Sequence, residues 1–148
     1  MKEKAREILL KTYGHHSYRP GQQKLVEGLL SGRDVLGVMP TGSGKSLCYQ
    51  IPALLLPGTT LVISPLISLM KDQVTALKLR GLPAAYLNSS MDEASYQETV
   101  YQAARGAYSI MYVAPERLQA PGFLEMCRHI SIPLVAVDEA HCISQWGQ

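Results

Sequence analysis

Residues 39 to 46, Met39-Pro40-Thr41-Gly42-Ser43-Gly44-Lys45-Ser46, follow a short apolar run, Asp34-Val35-Leu36-Gly37-Val38, and precede a helical pattern. No other feature constrains the chain as strongly. Gly42 and Gly44 permit a tight turn in which successive backbone N–H groups point inward, and the helix that follows presents its positive N-terminus to the same place. Lys45 adds a point charge for β and γ phosphates. Ser46 offers a hydroxyl of the kind that ligates Mg²⁺ in such loops. The strict pattern G-x-x-x-x-G-K-[ST] is not met, because Met39 stands where its first glycine belongs. The bland alternative, a Gly/Ser loop with a surface lysine, does not account for a strand directly before the loop and a helix directly after it. The stretch reads as a phosphate-binding loop for a nucleoside triphosphate, lined by Thr41, Gly42, Ser43, Gly44, Lys45 and Ser46.

Around this loop the hydrophobic period alternates between helix and strand. Ala5, Ile8, Leu9 and Tyr13 recur at helical intervals up to Gly14. A linker runs through Gly21, and a second helical stripe over 22–30 carries Leu25, Val26, Leu29 and Leu30. After Lys45 the helix holds Leu47, Ile51 and Leu54, and Pro52 is expected to kink or end it because it removes the bond to Cys48. Thr59 to Ser64 form a near-continuous apolar run of the kind found in strands covered on both faces, so a second central strand is expected there. Ile67, Met70, Val74 and Leu77 mark a helix ending at Gly81, and residues 84–87 a short strand. Ser90 with Glu93 fits a capping box for a helix carrying Ala94, Val100 and Ala104. Residues 109–113 form another strand, 122–129 a short helix, and Leu134 to Val137 a final buried strand leading into Asp138. This order predicts an α/β domain, a mainly parallel sheet flanked by helices, with ligands at the carboxyl ends of the strands.

A chain of 148 residues is one domain with a real core. It has no apolar run of the length a bilayer crossing needs and no secretory form at its N-terminus, so a cytoplasmic protein with no membrane partner is expected. Fourteen basic and twelve acidic residues give a net charge of +2, which identifies no partner. Cys48, Cys127 and Cys142 are odd in number and lie far apart, and neither they nor the histidines have metal-ligand spacing. They read as reduced, buried thiols, and no structural metal is expected.

Asp138 and Glu139 directly follow the last strand. Asp138 is placed to hold Mg²⁺, and Glu139 to orient and deprotonate a water for in-line attack on a γ phosphate, which makes ATP hydrolysis the expected reaction. The alternative is a solvated acidic turn. His141, alone, reads as a local hydrogen-bonding residue.

Taken together, PTGSGKS, SPLISLMKDQV, APERL and DEAHCISQWG resemble motifs I, Ia, Ib and II of RecQ-type helicases, which are superfamily 2 DNA helicases, and the likeness covers essentially the whole chain. The resemblance implies a RecA-like P-loop NTPase fold, cut off before the motif III strand, that uses ATP and Mg²⁺ on single-stranded and partly duplex DNA. Within it, Lys45 and Ser46 bind phosphate and magnesium, Asp138 and Glu139 carry the magnesium and water chemistry, and His141 links hydrolysis to DNA. Tyr18-Arg19-Pro20-Gly21-Gln22 resembles the family's adenine-reading motif, with Arg19 packed on the base and Gln22 bonded to its edge. The earlier position where the family carries an aromatic residue holds His15. Ser64, Lys71, Arg117 and Trp146 become candidate DNA contacts, while Ile67 and Met70 read from the sequence as core residues.

Residues 1–148 are thus expected to be the first RecA-like motor domain of a helicase, incomplete at its C-terminus and inactive without a second RecA-like domain. A P-loop kinase, which needs an acceptor pocket and a mobile arginine-bearing lid, and a non-catalytic nucleotide- or DNA-binding fragment are the rival readings.

Overall fold

The computed structural model describes residues 2–18, 22–30 and 45–137, with the side chains of Lys2, Leu25, Leu29 and residues 45–47 excepted. The expected strand at 34–38 and Cys142 lie outside the described residues. The chain divides into two compact units, residues 1–57 and 58–148.

The first unit holds three helices, α1 (Lys2–Tyr13), α2 (Gln22–Leu30) and α3 (Lys45–Leu55). Ala5 and Leu9 of α1, Val26 of α2 and Ile51 of α3 form its core, with Ile8, Tyr13, Tyr18, Leu30 and Leu55 packed around them. The helical stripes read from the sequence are therefore the faces that meet. Full burial of an aliphatic side chain contributes about 1.5–3 kcal/mol, so these few residues define how α1, α2 and α3 assemble. The Tyr13 hydroxyl donates to Gln50 Oε1 at 2.7 Å, tying the end of α1 to α3. Pro52 does not end α3: the helix runs on to Leu55, and Leu56 N–H still reaches the Pro52 carbonyl at 2.9 Å. Its position in the last turn limits the loss to a single backbone bond.

The second unit is a four-stranded parallel sheet in the order β2-β3-β1-β4, with β1 (Thr60–Ile63), β2 (Ala84–Leu87), β3 (Ile110–Val113) and β4 (Val135–Val137). The connecting helices are α4 (Ile67–Leu79), α5 (Glu93–Ala104) and α6 (Phe123–Arg128), with a 3₁₀ turn at Pro115–Arg117. Leu61 and Ile63, Ala85 and Leu87, and Met111 and Val113 lie in register on one face, where they pack with Tyr96 and Ala103 of α5 and Phe123 and Met126 of α6. β1 and β3 are buried throughout, as two-sided coverage requires. Met70, Val74 and Leu77 are the buried residues of α4, and Ile67 is half-buried.

Four details differ from the expectations. β4 is not buried: Val135 and Val137, which project on the same face of the strand, are 54% and 51% exposed. The helix α5 starts at Glu93, so Asp92 and not Ser90 stands at its cap, with Oδ1 accepting the Ser95 N–H at 2.7 Å, while the Ser90 hydroxyl donates to Asn88 Oδ1 at 2.6 Å. The buried residues of α5 are Tyr96 and Ala103, whereas Ala94 is exposed. Cys48 is buried but Cys127 is half-buried; both are free thiols.

Gly58 joins the strand layer to its closing loop. It has φ +101°, and a Cβ there would stand 2.3 Å from the Ser131 carbonyl oxygen, the atom that accepts the Thr59 N–H at 2.8 Å. Both the dihedral and the backbone contact require glycine. Gly58→Ala is expected to destabilise the protein by about 2 kcal/mol or more, read as a lower urea midpoint at unchanged slope. An unchanged midpoint would show that this loop is free to move.

Candidate nucleotide and nucleic-acid sites

The first unit carries the described residues of the candidate nucleotide site. Lys45 and Ser46 are the first described residues of α3, and a helix N-terminus is in general a favourable place for an anion. Gln22 opens α2 and is 1% exposed. The helices α2 and α3 lie against each other, so the two motifs belong to one packed unit. Arg19, Thr41, Gly42, Ser43 and Gly44 lie outside the described residues.

Tyr18 sits beside this unit's core, and burial raises its phenol above the ordinary value. One turn into α3, burial pushes the Cys48 thiol up to about 11, only partly opposed by a backbone hydrogen bond. From a reference of 9.0 this lowers the thiolate fraction at pH 8 by about two decades. Cys48 is expected to alkylate at least about 100-fold more slowly in the folded chain than after unfolding, checked by mass-spectrometric mapping of iodoacetamide adducts. Equal rates would mean that the thiol is open to solvent.

The second unit brings the carboxyl ends of its strands to one edge. Ser64 follows β1, Asn88 follows β2, Ala114 to Arg117 follow β3, and β4 ends at Val137, the residue before Asp138. Two backbone bonds hold this edge together: Ser64 N–H to the Val113 carbonyl at 3.1 Å, and Ala114 N–H to the Leu87 carbonyl at 2.9 Å. Ser64 is 4% exposed, and its Oγ accepts the Leu66 N–H at 3.2 Å, which shapes the entry to α4. Lys71 is exposed on that helix.

Arg117 is not a solvated charge. Its Nε donates to the Asn88 carbonyl at 3.1 Å, and its guanidinium carbon lies 4.4 Å from the centre of the Tyr96 ring. Asn88 is itself 1% exposed: Oδ1 accepts from Ser90 N–H at 2.9 Å, and Nδ2 reaches the Met70 sulfur at 3.6 Å. Burial raises the Tyr96 phenol, and the nearby Arg117 charge acts the other way. Asn88 and Tyr96 escaped the sequence reading. A polar residue immediately after a buried strand was the available signal for the first; nothing local marks the second.

Ser64, Lys71 and Arg117 thus belong to one unit, while Asp138, Glu139, His141 and Trp146 lie outside the described residues. Among the described residues no cluster of His, Cys, Asp or Glu could hold a metal ion, and no helix is long and apolar enough to cross a membrane.

Comparison with known proteins extends this picture across the whole chain. It is 48% identical to the ATP-dependent DNA helicase RecQ of Pasteurella multocida over 99% of its own length and 23% of the relative's. It is also 48% identical to the ATP-dependent DNA helicase RecQ of Bacillus subtilis, over 99% of this chain and 25% of that one. The chain therefore spans about a quarter of the length of these relatives. A crystal structure of a hypothetical ATP-dependent RNA helicase from Sulfolobus tokodaii superposes with a TM-score of 0.75 at 25% identity, covering 99% of this chain and 44% of that one, which agrees with a RecA-like helicase fold. The family model described as DEAD/DEAH box helicase matches residues 19–148, and the chain belongs to that family.

Proposed function

We propose that residues 1–148 are the ATP-binding part of the first motor domain of a RecQ-type DNA helicase. The reading rests on near-half identity to two RecQ helicases over 99% of the chain. In a protein of those relatives' length, ATP hydrolysis drives movement along single-stranded DNA and unwinding of partly duplex DNA, with a second RecA-like domain closing over the nucleotide. A cytoplasmic location accompanies this reading.

Thr41 to Ser46 cradle the phosphates, and Lys45 neutralises charge at the β and γ positions. Arg19 and Gln22 read adenine. Ser46 and Asp138 are oxygen donors, the type that suits Mg²⁺, which supplies charge neutralisation between the β and γ phosphates when bound. Glu139 takes the proton from the attacking water, and His141 conveys the state of the nucleotide to the DNA side. Ser64, Lys71, Arg117 and Trp146 contact the strand without reading its sequence.

The test is ATP turnover with single-stranded DNA, with RNA, and with neither, in a chimaera where this chain replaces the matching quarter of the Bacillus subtilis RecQ. Stimulation by DNA is expected. Stimulation by RNA alone, in keeping with the name of the Sulfolobus relative, would replace the DNA reading, and nucleotide binding without turnover under all three conditions would favour a non-catalytic fragment.

A further inference from the structure

The grip on Arg117 has a use beyond joining two loops. A guanidinium carries five N–H donors in a planar fork. One, on Nε, is taken by the Asn88 carbonyl at 3.1 Å, and one face of the plane is covered by the Tyr96 ring at 4.4 Å. The ring is fixed in turn: Tyr96 is 3% exposed and its hydroxyl donates to the Pro121 carbonyl at 3.3 Å. The Asn88 carbonyl is fixed by the bonds of Asn88 to Ser90, Met70 and Met91. The two terminal nitrogens of Arg117 have no hydrogen-bond partner among the described residues, and the residue is only partly buried. That leaves a parallel pair of donors, which matches two oxygens of one phosphate. We propose that Tyr96 and Asn88 are positioning residues that hold the Arg117 fork ready for one backbone phosphate of a nucleic acid strand.

The inference rests on the reading that this edge takes a nucleic acid. Because the orientation of Arg117 is set during folding, little side-chain freedom remains to be lost on binding, and the contact is made by an already ordered fork. Tyr96 acts through Arg117 and touches no ligand.

The experiment measures affinity of the full chain for short oligothymidylate across a range of salt. Arg117→Ala is expected to weaken binding roughly tenfold and to flatten the slope of log affinity against log salt by about 0.7, one phosphate contact on a single strand. Tyr96→Leu should reproduce both effects, add nothing in the Arg117→Ala background, and be reversed by the ring-preserving Tyr96→Phe. A second readout needs no destabilised variant: the Arg117 Nε–Hε resonance of the native protein and of Tyr96→Phe should show a ring-current displacement that persists when oligothymidylate is added. Loss of that displacement on binding overturns the inference, whether or not Tyr96→Leu folds. So does a folded Tyr96→Leu protein that keeps native affinity and slope while Arg117→Ala loses them; in that case the nucleic-acid reading stands. If Arg117→Ala and Lys71→Ala both leave affinity and slope unchanged, the nucleic-acid reading of this edge fails and the positioning role falls with it.

Discussion

Lys45→Ala is expected to abolish measurable ATP hydrolysis, a loss of roughly 10²–10³ in rate at the least, while much of the single-stranded DNA binding survives. The transferred phosphoryl group develops charge on oxygens that only positioned cations and backbone N–H groups can neutralise, and alanine removes the cation while leaving the loop and the start of α3 in place. DNA binding is expected to be spared because the proposed contacts Ser64, Lys71 and Arg117 belong to the unit formed by residues 58–148, whereas Lys45 belongs to the other. Turnover and oligonucleotide binding are measured side by side in the chimaera. Near-normal DNA-stimulated turnover in the variant would remove Lys45 from the reaction, and equal loss of both activities would point to a folding defect.

Much of the fold was legible because each element carries its own period. The run from Thr60 to Ile63 is apolar at every position except the first, as a strand buried on both faces must be, and Met70, Val74 and Leu77 recur at the spacing that places them on one helix face. What failed depended on neighbours that local sequence does not name. Val135 and Val137 read as buried because their residue types match those of β1, yet a strand's burial is decided by what covers the faces of the sheet. Ser90 and Asp92 are both good caps, and local sequence does not say at which of them the helix begins; α5 starts at Glu93, with Asp92 as its cap and Ser90 in the turn on Asn88. Gly58 looks like any loop glycine until Ser131, distant in sequence, is seen against it.

The candidate sites divide in the same way. Lys45 and Ser46 could be placed on a helix because the Gly/Ser-rich stretch before them is followed by a helical apolar pattern, and both are residues of α3. Arg117 could be singled out as a charge, but not its fixed orientation. That comes from Asn88, 29 residues earlier, and from Tyr96 on α5, a residue that the apolar pattern of Ala94, Val100 and Ala104 did not single out, although Val100 and Ala104 do pack on the same core. Motif reasoning names candidate contact residues; the side chains packed against them emerge only from the fold.

Glu139→Gln separates binding from chemistry. Glutamine keeps the shape and the hydrogen-bonding oxygen of the side chain but cannot accept the proton of the attacking water, so ATP affinity is expected to hold while hydrolysis slows by roughly 10² or more. In the sequence the residue follows Asp138, which comes directly after β4 ends at Val137 in a sheet whose described strands all run parallel, and ligands of such sheets bind beyond the carboxyl ends of the strands. Asp138→Ala, in contrast, removes an oxygen donor for Mg²⁺ and should weaken nucleotide binding together with turnover. Nucleotide titration and single-turnover hydrolysis therefore part company in the first variant and fall together in the second. If titration and turnover fell equally in Glu139→Gln, the residue would be a binding or folding group, and the base would have to be sought elsewhere.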